Sequence, residues 1–168
     1  MSLWKNTRFS LHTPLPPHIS RAAAVQLLHK HEELLRLNPL IVDIKRSQRP
    51  DRAPEDESHY TWYELTDHIT YFPGLSYDVP YHGGFLDTPD GLKTHVYAPA
   101  GLEIRERWSI ARADDESGLA DGQSLVLIED VDMSCNIFLT YFVRKNIEAS
   151  HATLTRRLLR QDAPNPSR

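Results

Sequence analysis

The sequence predicts an α+β fold in which a curved antiparallel sheet encloses a long C-terminal helix. The last apolar segment, 136–161, repeats its larger side chains at steps of three and four, which is the period of one helix face. The segments before it mostly alternate apolar and polar residues, and turns that contain proline or glycine separate them. These two patterns together indicate a run of strands that ends in a helix.

The final helix changes character along its length. Its later turns carry a single apolar stripe, formed by Val143, Ile147, His151, Leu154 and Leu158. Its first two turns are instead apolar nearly all round. Such a helix must be covered at that end by a wide and curved surface, and the preceding strands are the candidates for it. A sheet wrapped around a helix usually leaves a hollow, which is where we expect the function to lie.

The N-terminal segments predict a strand followed by two helices. The strand, over 4–13, alternates apolar and polar residues, and prolines end it. Ser20 is suited to cap a helix over 21–36. The apolar face of that helix is interrupted near 29–32, so we expect it to break into two pieces there.

Alternation and turn signals predict six further strands. In the first of them, Leu40, Val42 and Ile44 share one face. The clearest turn signal between strands is Thr88-Pro89-Asp90-Gly91. Polar loops are expected over 47–58 and 114–122. The predicted strands cover 40–46, 59–72, 77–86, 92–98, 102–113 and 124–134.

Length and charge limit the function classes. With 168 residues, the chain predicts one domain over 1–161 and a flexible tail over 162–168. A formal net charge of −4 and the lack of dense basic runs argue against a nucleic-acid partner. The single cysteine, Cys135, cannot form an intrachain disulfide, and the N-terminus lacks the apolar stretch of a signal peptide. We therefore predict a cytoplasmic protein without a membrane span, whose oligomeric state the sequence does not determine.

Several stretches resemble a known superfamily. They are 9–20 (FSLHTPLPPHIS), 34–40 (LLRLNPL), 63–67 (YELTD) and 128–135 (IEDVDMSC). The chain resembles the START-type, polyketide cyclase and plant-allergen superfamily and, more narrowly, a family of small fungal proteins of unknown function. The resemblance implies a helix-grip fold, with about six to seven strands wrapped around the last helix and two short helices after the first strand. It also implies a cavity for an apolar or amphipathic small molecule, but it supplies no catalytic residues.

The inward rows of the predicted strands are rich in aromatic side chains. Tyrosine combines a flat apolar wall with a hydroxyl that needs a partner when it is buried. These rows and the start of the helix predict a binding pocket for an apolar small molecule. Its predicted lining residues are Tyr63, Tyr71, Tyr77, Tyr81, Phe85, Trp108, Met133, Phe138, Tyr141 and Phe142.

Three carboxylates fall in the same inward rows, namely Asp67, Glu106 and Glu129. If Ala111 lies opposite Ser124, then Glu106 lies opposite Glu129. Two adjacent buried carboxyls cannot both ionise cheaply, so one would keep a proton and could donate it to a carbonyl group. A different register, an arginine partner, or an outward-facing Glu129 would instead make these groups structural.

The nine histidines show no zinc-ligand spacing on one strand face, so the sequence predicts no metal and no cofactor. His29 and His31 are expected to face apart on one helix. His82 lies beside Gly83-Gly84, where a bulge could turn it inward, and it is kept as an acid–base candidate.

Two function classes follow. The first is a cofactor-free cyclase or isomerase, of the pericyclase or Diels–Alderase type, which acts on an apolar polyketide or terpenoid intermediate of fungal specialised metabolism. The second is a non-catalytic carrier of a lipid, sterol or other hydrophobic ligand, which needs the same pocket and no inward acid. A solidly packed interior would favour a scaffold without a ligand.

Overall fold

The computed structural model describes residues 2–113 and 124–160, and at 71 and 72 it describes the backbone alone. The loop predicted at 114–122 and the tail predicted at 162–168 lie outside these residues. The strands are β1 (Trp4–Pro14), β2 (Ile41–Ser47), β3 (Thr61–Phe72), β4 (Leu75–Thr88), β5 (Gly91–Tyr97), β6 (Glu103–Arg112) and β7 (Leu125–Asn136). The helices are α1 (Arg21–Leu28), α2 (His31–Leu35) and α3 (Ile137–Arg160).

All seven strands form one antiparallel sheet, in the order β1-β7-β6-β5-β4-β3-β2. Strands β2 to β7 are therefore a meander, and β1 pairs with the last strand at one edge. The curved sheet, the two short helices after β1 and the long terminal helix confirm the predicted α+β helix-grip fold. Among the described residues, no helix is long and apolar enough to cross a membrane.

The two short helices begin and end for local reasons. The Ser20 side chain accepts a hydrogen bond from the Ala23 backbone N–H at 3.1 Å and caps α1. The helix ends at Leu28, and the chain starts again at His31, as the interrupted apolar face predicted. Both helices pack leucines, including Leu27 and Leu28, into the main hydrophobic core at one end of the sheet.

Strand β2 differs from the prediction. Its register with β3 shifts between Ile41 and Asp43, so Ile41 and Ile44 pack against the core. Val42, which was predicted to share a face with Ile44, is 59% exposed. The expected alternation is wrong here because an irregular register adds a residue between the two inward positions.

The first turns of α3 are not covered as predicted. Phe138 is 79% exposed and Tyr141 is 69% exposed. A single sheet can cover only one side of a helix, and none of the described elements covers the other side of these turns. Only the stripe through Val143 and Ile147 is buried there, where it packs against Met133.

Candidate functional site

A cavity of about 690 Å³ lies between the concave face of the sheet and the α3 helix. This volume is within the usual range for small-molecule sites. Its walls are mainly apolar, and α2 contributes Leu34 and Leu35. Further apolar lining residues come from β3, β5, β6 and α3: Leu65, Leu92, Val96, Ile104, Ile147 and Leu154. The interior is therefore not solidly filled by the side chains of the protein.

The cavity is also lined by Asp67, Glu106 and Glu129, the three carboxylates that strand parity placed inward. Each of them has an apolar, inward-pointing residue two positions away on the same strand. Because side chains two positions apart lie on the same face of a strand, the carboxyl also points to the concave face. Burial of a carboxyl away from water raises its pKa, because the charged form loses its hydration. The three groups differ in what else they contact.

Glu129 forms a hydrogen bond with a histidine of α3. Its Oε2 atom lies 2.7 Å from Nδ1 of His151, and the Glu129 residue is only 1% exposed. Burial, with a smaller contribution from Glu106, raises the pKa of Glu129 to about 10. Burial also lowers the pKa of His151, with a smaller contribution from His12. The carboxyl therefore keeps its proton beside a neutral imidazole.

His151 is held in place from two other sides. Its Nε2 forms a hydrogen bond of 2.9 Å with the Thr13 hydroxyl. Its ring stacks on Trp108, with the two centroids 5.4 Å apart. The helix, the first strand and β6 thus fix the orientation of the ring that is hydrogen-bonded to Glu129.

Glu106 accepts hydrogen bonds instead of contacting a histidine. The Thr94 hydroxyl donates to its Oε2 at 2.9 Å, and the Trp108 indole N–H donates to the same atom at 3.4 Å. Burial raises the pKa of Glu106, and these two bonds oppose that effect. Glu106 and Glu129 interact electrostatically, since Glu106 contributes to the raised pKa of Glu129.

Asp67, like Glu106, is half-buried. The Tyr81 hydroxyl donates to its Oδ1 at 2.9 Å. Burial raises the pKa of Asp67, and the Tyr81 bond opposes that effect. Burial also raises the pKa of Tyr81, so this hydroxyl keeps its proton.

The register between β6 and β7 differs by two residues from the pairing that would place Glu106 opposite Glu129. Ala111 lies opposite Val126, not Ser124, and Glu106 lies opposite Val131. Glu129 instead lies opposite Trp108. The two carboxyls are consequently diagonal neighbours on the concave face, and the shift by an even number of residues leaves both of them inward.

The predicted aromatic residues divide into two groups. The cavity is lined by Tyr81, Phe85, Trp108, Phe138 and Phe142. The others lie elsewhere. The Tyr63 ring packs in the main core beside Phe85, Met133 is buried in the second core cluster, and Tyr77 and Tyr141 are more than half exposed. The side chain of Tyr71 lies outside the described part of the structure.

His82 lies on the outer face and not in the cavity. It pairs in register with Glu64 and Tyr97, whose side chains also face outward, and β4 keeps a regular register through Gly83 and Gly84. Its Nε2 lies 4.0 Å from Glu64 Oε2. Without the expected bulge, the alternation of the strand directs this side chain away from the carboxyls.

His29 and His31 lie at the end of α1 and the start of α2, on either side of the predicted break, and they do not face apart as expected but approach the same carboxylate. His31 Nε2 is 2.8 Å from Asp87 Oδ1, and His29 Nδ1 is 4.0 Å from the other oxygen of that group. In the part of the chain that the structure describes, no group of three or more histidine, cysteine or acidic side chains is arranged to hold a metal ion.

Sequence reasoning missed the role of His151 beside Glu129. The signal was present, because this histidine occupies a position in the apolar stripe of α3 where the neighbouring positions are valine, isoleucine and leucine. A buried histidine in such a stripe needs a polar partner from the facing sheet. Thr13 and Thr94 carried no comparable signal.

The sequence between residues 4 and 163 matches a family model described as Domain of unknown function (DUF7053). The chain belongs to this family. No functionally curated protein matches it. The narrower likeness to fungal members stays a prediction.

Solved structures with the same fold cover nearly the whole chain. The Zhui aromatase/cyclase from Streptomyces sp. R1128 is 10% identical, with a TM-score of 0.62 over 94% of this chain and 95% of that chain. Ara h 8.0201 is 12% identical, with a TM-score of 0.56 over 92% and 99%. A truncated norcoclaurine synthase from Thalictrum flavum is 12% identical, with a TM-score of 0.54 over 95% and 96%. At such identities the likeness shows the helix-grip fold alone.

Proposed function

We propose that this protein binds an apolar small molecule in the cavity and catalyses its cyclisation or isomerisation without a cofactor. The observation that carries the proposal is a set of buried carboxyls facing an apolar cavity of about 690 Å³. A filled core would not need them, and burying each one costs stability unless it is used or fully paired. The fold shared with an aromatase/cyclase and a norcoclaurine synthase is consistent with this function.

Glu129 is the proposed acid. It keeps its proton near neutral pH because burial raises its pKa to about 10. In the imidazole tautomer that donates from Nδ1 to Glu129 Oε2 and accepts at Nε2 from the Thr13 hydroxyl, the carboxyl proton lies on Oε1. A carbonyl oxygen of the substrate that approaches Oε1 would then accept a hydrogen bond that strengthens as negative charge develops there. His151 acts as a positioning residue, since it holds one carboxyl oxygen and leaves the other side of the group toward the cavity.

The apolar walls of the cavity make the second contribution to catalysis, because they orient the substrate. Holding the reacting carbons of a flexible chain within contact distance can supply several kcal/mol, up to about 7–11 kcal/mol in the best oriented cases. Phe85, Trp108 and Phe142 offer flat apolar surfaces for such a chain. These surfaces suit a polyketide or terpenoid intermediate, and a pericyclase or Diels–Alderase reaction of fungal specialised metabolism is the specific form that we propose. The proposal includes a single domain over 1–161, a flexible tail after it, and a cytoplasmic location.

A carrier without catalytic activity is the second candidate. Exposed rings at the cavity mouth favour it, because Phe138 is 79% exposed and also lines the cavity. Rings in this position would ease the entry of a lipid or sterol. A carrier would need the apolar walls, but its affinity would not depend on a protonated Glu129.

Gene deletion combined with add-back separates the two functions. Extracts of the source organism that lacks the gene should accumulate an uncyclised precursor, and purified protein added to the extract should convert it. The Glu129→Gln and Glu106→Gln variants should bind the precursor but convert it about 10²–10⁴-fold more slowly. Glu64→Gln is the matched control, since Glu64 lies on the outer face. If both cavity variants convert the precursor as fast as the parent, the acid-assisted reaction is wrong and the carrier function is favoured.

A further inference from the structure

The ionisable side chains among the described residues that line the cavity are all acidic. Its described lining includes Asp67, Glu106 and Glu129, and none of the lining residues is lysine, arginine or histidine. Its other polar groups are hydroxyls and amides, such as Tyr81 and Asn146. Buried carboxyls are normally matched by a cation or fully satisfied by donors. A ligand could supply the missing cation.

We propose that the cavity selects apolar molecules that carry a basic nitrogen, with the Asp67 carboxylate as the counter-ion. This inference rests on the proposed function, since it names the ligand class of the same cavity. The inference about the ligand class holds whether the protein cyclises the bound molecule or only binds it.

Asp67 is better suited to this role than the two glutamates. The Glu129 carboxyl is almost fully buried and bonded to His151. Glu106 already accepts from two donors. Asp67 is only half-buried and has one donor, the Tyr81 hydroxyl, so a carboxylate there keeps partial hydration and free acceptor capacity. An ammonium group within about 4–6 Å would stabilise the ionised form of this carboxyl further.

The proton balance of binding is simple. An aliphatic amine is already protonated in water near neutral pH and enters as the ammonium ion. Where Asp67 is protonated in the empty cavity, its O–H bond breaks and the proton goes to solvent as the ion pair forms. The Glu129 carboxyl keeps its proton, because an ammonium beside Asp67 needs only one counter-charge.

The same carboxyl groups weaken the binding of anionic ligands. The carboxylate of a fatty acid would leave water and meet carboxyl groups with no lysine or arginine among the described lining residues. A fatty alcohol has no such penalty and no ionic attraction. For three probes of equal chain length, we therefore expect the amine to bind most tightly, the alcohol less tightly and the acid most weakly.

Isothermal titration calorimetry at pH 7 with decylamine, decanol and decanoic acid, each below its aggregation concentration, tests this order. We expect the parent protein to bind decylamine at least tenfold more tightly than decanol, and decanoic acid more weakly than either. Asp67→Asn should bring the affinity for decylamine down to that for decanol. Glu64→Gln, on the outer face of the same strand, should keep the full preference.

The possible results separate the two proposals. Equal affinities of the parent for decylamine and decanol, or a preference that survives in Asp67→Asn, would overturn the inference while the cavity stands. Binding of none of the three probes would instead count against the proposed function. If thermal unfolding shows that Asp67→Asn is not folded, the order of the three probes on the parent still decides, and Tyr81→Phe, which removes the donor to Asp67, should reduce the preference for the amine.

Discussion

Two acid–histidine clusters lie on opposite faces of the same sheet. On the concave face, Glu129 contacts His151 beside an open cavity. On the outer face, His95 lies between two carboxylates, with Nδ1 at 2.5 Å from Glu57 and Nε2 at 2.6 Å from Glu103. Both imidazoles are buried, but their surroundings differ.

The outer cluster is closed by the protein itself. The loop after β2 folds over it, and Ala53, Trp62 and Tyr97 form a small core there. Arg105 pairs with Glu103 at 3.2 Å, so acids and cations meet within the cluster. The inner cluster borders the cavity, whose described lining residues include no lysine, arginine or histidine. We infer that the outer cluster fixes the loop after β2 to the sheet, whereas the inner cluster is available to contact a ligand.

Breaking the outer cluster should have the largest effect on stability. His95→Leu leaves Glu57 and Glu103 without their shared partner, and loss of one member of a buried pair costs roughly 3–5 kcal/mol. Urea unfolding should show this decrease in the free energy of unfolding. Decanol affinity per folded molecule should not change, because His95 does not line the cavity.

The matched control is His68→Leu. His68 pairs with Asp78 at 2.7 Å, but the side chains of both residues are more than half exposed. Exposed pairs contribute only about 0–1 kcal/mol. Equal destabilisation by the two substitutions would contradict the structural role assigned to the outer cluster.

The inner cluster should make stability depend on pH. Burial raises the pKa of Glu129 to about 10, so the folded state keeps a proton that the unfolded state loses near its ordinary pKa of 4.5. The contribution of this proton is full below that ordinary value and is lost as the pH rises toward 10. The free energy of unfolding should therefore fall with rising pH, by at most about 1.4 kcal/mol per unit for one proton.

The Glu129→Gln variant cannot titrate and should flatten this decrease. Urea unfolding at pH 6, 7, 8 and 9 measures the slopes of parent and variant. Glu64→Gln should keep the slope of the parent. Parallel curves for the parent and Glu129→Gln would mean that this carboxyl is already ionised in the folded state.

Filling the cavity should have the smallest of the three effects, and it should change ligand affinity. Ser150 lines the cavity from α3, and a phenylalanine there would occupy space that the ligand needs. We expect Ser150→Phe to weaken decanol binding at least tenfold, which is about 1.4 kcal/mol. Calorimetry measures this change, and the neighbouring exposed Ala149→Phe is the control. Unchanged binding by Ser150→Phe would place the ligand outside the cavity.

Strand parity favoured inward positions for the three carboxyls, and these positions do not depend on whether Glu106 and Glu129 lie directly opposite each other. Glu106 lies opposite Val131 and not opposite Glu129, but a shift of two residues leaves both on the same face. The prediction for His82 was wrong because it depended on a local irregularity of the strand. It required a bulge, and the pairing of β4 with its neighbours is regular there.

The aromatic residues show where local pattern is insufficient. Tyr81 and Trp108 line the cavity, whereas Tyr63 packs in the core and Tyr141 lies at the surface. Alternation gives the face of a strand, but whether a position on that face lies over the hollow or over the packed end depends on where the helices sit. The resemblance to a superfamily predicted the hollow without locating its boundary.

By itself the sequence determined the order of strands and helices and favoured the concave face for the three carboxyls, because both follow from local periodicity. Only the tertiary structure decided which groups meet. The contact between Glu129 and His151 joins residues 22 positions apart in the chain, and that between Thr13 and His151 joins residues 138 apart. Such contacts depend on how α3 packs across the sheet, which no local pattern specifies.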